Sequence, residues 1–129
     1  MFVCSIILGS CTKECGPWIE GSNCEIEMRD KFYGVFTGTL TGAGQTQTVA
    51  MTITPYSGDI QKFTIDGMSY AELTSSTTFI YPSQVIVDPV NGNWTIDSGS
   101  GAIQGDQITS NIYMTMQGQT FNFSFLGYR

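Results

Sequence analysis

A chain of 129 residues, 41% hydrophobic and 12% charged, is long enough for one buried core and too short for two domains of ordinary size. Eleven acids against five bases leave a net charge of −6, which argues against the basic face that phosphate recognition needs, so no nucleic-acid partner is expected. Histidine is absent, and with it the commonest general base and imidazole metal ligand, so neither an enzyme nor a cofactor or metal is expected.

Residues 1–10 run Met-Phe-Val-Cys-Ser-Ile-Ile-Leu-Gly-Ser, far short of the roughly 20 apolar residues a membrane-spanning helix requires. An apolar run ending in small residues has the form of the back half of a secretory signal peptide, here without a positive front end. Leu8-Gly9-Ser10-Cys11 resembles the lipobox of bacterial lipoproteins. The resemblance implies that residues 1–10 are removed and that Cys11 becomes a lipidated N-terminus. It also implies an exported protein on the cell envelope, at the outer membrane, held by acyl chains contributing about 0.8 kcal/mol per buried methylene. The plainer reading of the same residues is a buried N-terminal strand with a small apolar cysteine.

Once Cys4 leaves with the signal and Cys11 carries lipid, Cys15 and Cys24 remain, an even number in an exported protein, and are expected to pair. The segment Cys15-Gly16-Pro17-Trp18-Ile19-Glu20-Gly21-Ser22-Asn23-Cys24 resembles the last loop of an EGF-like module, with an aromatic in the middle and glycine three before the final cysteine. In that family these two cysteines bond to each other. The remaining cysteines of a full module are absent, and Lys13 stands where a C-x-C partner would be, so no calcium or receptor role carries over. Residues 11–31 read as a lipid anchor and stapled linker, its short loop stabilised by about 2–3 kcal/mol in the chain-entropy picture. A metal site built from Cys11, Cys15 and Cys24 would lack the paired cysteines and histidines that zinc takes.

From residue 32 onward, apolar residues recur at every second position between turn signals, the pattern of half-buried antiparallel strands. In chain order the segments are 32–40, 48–54, 60–66, 68–73, 77–81, 84–88, 93–97, 107–116 and 121–125. The last is the clearest, with Phe121, Phe123 and Phe125 on one face and Asn122 and Ser124 on the other. Asp66-Gly67, Asn91-Gly92 and Gly105-Asp106 suit two-residue hairpin turns, and Ser57-Gly58-Asp59 and Gln117-Gly118-Gln119 add two further turns. The expected fold is all-β: about eight strands over residues 32–129 in an antiparallel meander, closing into a small lipocalin-like barrel, with a two-sheet β-sandwich as the alternative.

Phe32-Tyr33-Gly34-Val35-Phe36-Thr37-Gly38-Thr39-Leu40 and Gly99-Ser100-Gly101-Ala102-Ile103-Gln104-Gly105-Asp106-Gln107-Ile108, together with Cys24-Glu25 and Arg29 upstream, are similar to the lipocalin-like, or calycin-like, β domains of Bacteroidetes-type lipoproteins. The similarity implies fold and envelope location more than activity.

Six carboxylates fall in this domain. Asp59, Asp66, Asp88 and Asp106 sit beside glycine or proline, where aspartate bonds its own backbone in a turn; Glu72 and Asp97 fall in strands and are the one formal pair for glycan hydrolysis. No Gly-x-Ser-x-Gly or partnered thiol is present, and Gly42-Ala43-Gly44-Gln45 precedes strand-spaced threonines, which makes it a hairpin tip and not a phosphate loop. Tyr56, Tyr70, Trp94 and Tyr113 are the candidate ligand-binding aromatics, with Tyr81 beside them, for a sugar-stacking surface or a barrel mouth. Ordinary strand packing is the plainer use of all five. Met51, Met68, Met114 and Met116 could soften an apolar cavity or simply fill core gaps. The expected function is a binding module for a small apolar or sugar-like (glycan) ligand; the alternative is a structural component meeting an envelope protein partner through an outer face or edge.

Overall fold

The computed structural model describes residues 3–5, 10–12, 15–90 and 92–129, the first six by their backbone alone. Leu8 and Gly9 of the lipobox-like sequence, much of the signal-like segment, and Asn91 of the Asn91-Gly92 turn lie outside the described residues. Strands β1 (Val3–Ser5) and β2 (Ser10–Thr12) pair antiparallel with Cys4 opposite Cys11. Strands β3 (Ile19–Glu20) and β4 (Ile26–Glu27) form a second small ladder, beside the Cys15–Cys24 disulfide that spans a Cα–Cα distance of 5.3 Å. A 3₁₀ helix, Met28–Phe32, leads into the main sheet.

That sheet comprises β5 (Gly34–Gly42), β6 (Gln45–Pro55), β7 (Lys62–Ile65), β8 (Ser69–Leu73), β9 (Thr78–Ile80), β10 (Gln84–Ile86), β11 (Trp94–Gln104), β12 (Gln107–Met116) and β13 (Gln119–Tyr128). Every pairing is antiparallel. β13 pairs with β5, and β9 pairs with both β8 and β11, so the meander closes on itself as an eight-stranded barrel, with β10 running beside the first part of β11. Closure leaves no long unpaired edge. The barrel, and not the sandwich, is the fold.

The period-two alternation sorts side chains across the wall. Phe36, Met51, Ile53, Phe63, Ile65, Leu73, Phe79, Ile96, Ile108 and Phe125 point inward and are buried. Thr37, Thr39, Thr41, Thr48, Thr109, Asn111 and Ser124 are exposed on the outer wall, where Ser124 Oγ donates to Asn111 Oδ1 at 2.6 Å. Ala43-Gly44, Asp66-Gly67 and Gln117-Gly118 carry positive φ at both residues, the conformation that tight hairpin turns matched to strand twist demand.

Two features depart from the simple alternation. β11 continues to Gln104 through Gly99 and Gly101, where the apolar pattern lapses because aromatic rings on the neighbouring strand lie directly over those backbones. A Cβ on Gly99 would stand 2.7 Å from Tyr81 Cδ2, and one on Gly101 would collide with the Phe79 ring. β9 and β10 are two pieces of one line along β11, since Ile80↔Ser100 and Gln84↔Ile96 share one register. Pro82 interrupts that line, having no N–H to give. The Gln84 amide fills the gap toward β8: its Oε1 accepts from Tyr70 N at 2.9 Å, and its Nε2 donates to Tyr70 O at 2.8 Å and Pro82 O at 2.9 Å.

One end of the barrel is sealed. Phe32 stacks on Phe63 at 5.0 Å and meets the edge of Phe79 at 5.7 Å, all three rings fully buried. Arg29, 7% exposed, donates through Nη1 to the carbonyls of Tyr56, Asp59 and Lys62 and through Nε to Glu27. Arg129 Nη1 donates to the carbonyls of Lys31 and Tyr33, tying the C-terminus across the plug. Trp18 and Met28 also pack on the core, so the end of the segment read as a linker is part of the barrel's seal.

Candidate functional site

The other end is open. It is ringed by the turns 43–44, 66–68 and 117–118 and by residues 87–90 after β10, and it leads into a cavity of about 440 Å³. That volume lies within the range of small-molecule sites. The walls come from nearly every strand because each contributes its inward positions: Leu40, Val49, Met51, Ile65, Ile96 and Ile112 form the apolar sides. Trp94, at the head of β11, meets Phe121 and Phe123 of β13 at 6.2 and 6.3 Å, across the strand that carries Met114. Met51, Met68 and Met114 line the space with flexible thioether chains, which adapt to irregular shapes better than branched residues do.

Four polar residues, Ser69, Tyr81, Asp66 and Asp88, accompany this apolar lining. Tyr81 is 2% exposed, its hydroxyl has no hydrogen-bond partner, and burial pushes its pKa up to about 12, aided by the nearby Asp66 charge. The Ser110 hydroxyl, a larger influence than Asp66, pulls the other way, although the two oxygens do not meet hydrogen-bond geometry. Asp66 and Asp88 stand at the rim. Each does what an aspartate beside a turn does: Asp66 Oδ1 accepts from Thr52 N at 2.8 Å, and Asp88 Oδ1 accepts from Val90 N at 2.9 Å. These bonds hold both carboxylates against the backbone at the cavity's rim.

Of the aromatics singled out from sequence, Trp94 and Tyr81 reach the cavity. Tyr56 and Tyr70 meet each other at 5.6 Å, with Lys62 Nζ 5.3 and 5.1 Å from their ring centres, and neither ring belongs to the cavity lining. Tyr113 is exposed and alternates with the inward Ile112 and Met114. The four candidates Tyr56, Tyr70, Trp94 and Tyr113 are therefore not brought together. Nor are the two strand carboxylates: Glu72 pairs with Lys62 at 3.6 Å, whereas Asp97, exposed near the open end, accepts from Thr115 Oγ1. Asp66 and Asp88 were legible as turn residues, but nothing in their spacing tells that both also face one space.

A second depression, about 520 Å³, lies over Thr39, Thr41, Asn111, Ser124 and Leu126 on the outer wall, and the one aromatic residue it touches, Phe125, is buried in the core. No helix among the described residues is long and apolar enough to cross a membrane. No family model, curated protein or solved structure matches the chain, so its own geometry carries the functional argument.

Proposed function

We propose that the protein is a binding module that takes a small, largely apolar ligand into the open end of its barrel. The observation that supports this is the contrast in filling along one axis. The sealed half is packed with phenylalanine rings, while the open half keeps a cavity of about 440 Å³ walled by apolar side chains. An apolar interior left unfilled forgoes dispersion contacts that larger side chains would supply, which is the signature of a space kept for something else. The lining favours an apolar body over a sugar, because a glycan's hydroxyls would meet few polar partners there.

Titration with the neutral fluorophore N-phenyl-1-naphthylamine tests this directly, read by its own emission and by quenching of Trp94. Saturable binding that is lost in a cavity-filling Ile112→Trp variant supports the reading; no binding, or binding indifferent to that variant, overturns it.

The location proposed with it is the cell envelope, by lipid on Cys11, and its support is the Leu8-Gly9-Ser10-Cys11 sequence. A second fate for the same cysteine is favoured by the register that sets Cys4 opposite Cys11, since facing positions of an antiparallel pair lie at disulfide-forming separations. The two are mutually exclusive. Intact mass spectrometry separates a chain lacking residues 1–10 and carrying acyl groups from a full chain two hydrogens lighter for a Cys4–Cys11 bridge.

A further inference from the structure

One short stretch of strand edge stays open beside the cavity. β6 pairs with β5 from Gln45 to Ile53, but with β7 only through Ile53, Thr54 and Pro55. One more rung comes from Asp66, whose N–H donates to Thr52 O and whose Oδ1 accepts from Thr52 N, both at 2.8 Å. The chain then turns at Asp66-Gly67, and no described strand continues beside residues 45–51. Since the amide and carbonyl of Thr52 face β7, the two-residue period of a strand aims those of Ala50, Thr48 and Thr46 at the same open side. From Gln45 to Thr54 there is no charged residue and no proline, the usual guards against an added strand. The cavity reaches this edge. Ala50 is exposed on the outer face of β6, yet it lines the cavity together with its inward neighbours Val49 and Met51.

From this we infer that the cavity's ligand is an extended, uncharged peptide segment, which adds as a strand to the open edge of β6 and turns alternate apolar side chains into the cavity. The inference rests on the ligand-binding reading above and gives that ligand a backbone. Two independent features meet at one place: main-chain donors and acceptors in a row, and an apolar space of about 440 Å³ on the inner side of the same strand. Strand addition uses the first for affinity and the second for side-chain selection. Paired residues share a face, so ligand residues opposite Thr46, Thr48 and Ala50 bond to the edge and point outward. Those opposite Gln47 and Val49 point inward, where the lining rewards apolar groups and penalises charge.

The test uses the full-length protein and the blocked peptide acetyl-Thr-Leu-Thr-Leu-Thr-Leu-Thr-amide carrying a glycol tail, in competition with N-phenyl-1-naphthylamine. With leucines inward, the threonine N–H groups face β6 and the leucine N–H groups face away. N-methylation of the leucines should leave displacement unchanged, whereas N-methylation of the threonines should weaken it at least about tenfold. Thr48→Pro removes a donor from the open edge and none from the β5 pairing, a position where a strand tolerates proline. It should weaken the peptide at least about tenfold and leave the fluorophore within about twofold. A peptide that does not displace bound fluorophore, or two methylated peptides that displace it alike, overturns the strand-addition inference and leaves the cavity reading standing. A dimer in sedimentation that Thr48→Pro abolishes and the peptide does not dissociate assigns the edge to a second copy, and also overturns it. Failure of the fluorophore itself to bind removes the small-ligand reading, and calorimetry with the same peptides then decides strand addition alone. The methylated pair on the unaltered protein settles the matter even if Thr48→Pro fails to fold.

Discussion

The two ends of this barrel use the same strands for opposite purposes. At the sealed end, inward positions are filled by Phe32, Phe63 and Phe79, and each described cation lies beside a carboxylate. At the open end the same alternation presents Val49, Ile112, Met114 and Trp94 to an unfilled space, with Asp66 and Asp88 at its rim. A closed meander has two mouths by construction, and a 3₁₀ turn with one arginine stops only one of them. The tight ring packing lies where the plug sits, and the unfilled cavity lies where it does not.

The largest effects that would break this division lie at the plug. Phe63→Ala removes a fully buried ring in contact with Phe32 and Phe79 and should cost about 3–5 kcal/mol in urea unfolding. Met114→Ala, half-buried and bordering the existing cavity, should cost only about 1 kcal/mol and enlarge the binding space. Equal losses at the two positions would show that the open half is as tightly packed as the sealed one. Arg29→Met strips the donors from three backbone carbonyls and leaves Glu27 without its partner, an expected loss of about 3 kcal/mol. Arg29→Lys should recover only part of that loss, because an ammonium cannot copy the guanidinium fork.

This asymmetry also marks what could be read from sequence. The wall was legible because period-two alternation is local: Phe121, Phe123 and Phe125 announce their face without reference to any other strand. The tail of β11 was legible only through its Gly105-Asp106 hairpin turn and the family resemblance of residues 99–108, because Gly99 and Gly101 show no apolar signal; the rings they accommodate, Tyr81 and Phe79, lie about 20 residues earlier in the chain. Arg29 was equally opaque. Its partners are backbone carbonyls 27 to 33 residues away, and a carbonyl carries no residue-type signature. At the site, Trp94 stood out as one aromatic among several, and only the closure of the barrel separates it from Tyr56, Tyr70 and Tyr113. Asp66 and Asp88 were identified by their turn chemistry, which is real, while their shared outlook on the cavity is a property of the tertiary fold alone.

Alkali probes the boundary between the two halves. Burial raises Tyr81, and also Tyr33 at the plug, to about 12. Since the folded-state pKa lies above the ordinary value of 10, the stability linked to each phenol is fully present below pH 10 and is lost as pH rises through about 12. For the buried Tyr81 the loss should approach about 2–3 kcal/mol. Tyr81→Phe should flatten that part of the alkaline slope, with the contribution of Tyr33 remaining. At neutral pH the same change should be neutral or slightly stabilising, because the hydroxyl removed has no partner. A clear loss at pH 7 would mean that the phenol is satisfied after all.

The smallest effect concerns the seam beside the mouth. Where Pro82 halts the strand line, the Gln84 amide alone completes the hydrogen bonding of Tyr70, serving as both donor and acceptor. Gln84→Leu keeps the bulk and removes three hydrogen bonds, so an unfolding cost of about 1–2 kcal/mol is expected, reduced because water can reach part of this half-buried site. The diagnostic readout is local. Hydrogen exchange at the Tyr70 amide should accelerate strongly while the Phe63 and Leu73 amides, toward the plug, keep their protection. Because β8 and β10 both contribute to the cavity wall, through Ser69 and Ile86, the same variant should weaken fluorophore binding more than its small effect on stability would suggest. If exchange instead quickened uniformly around the barrel, the two ends would be one cooperative unit, and the open half would owe its shape to global packing and not to this side-chain splice.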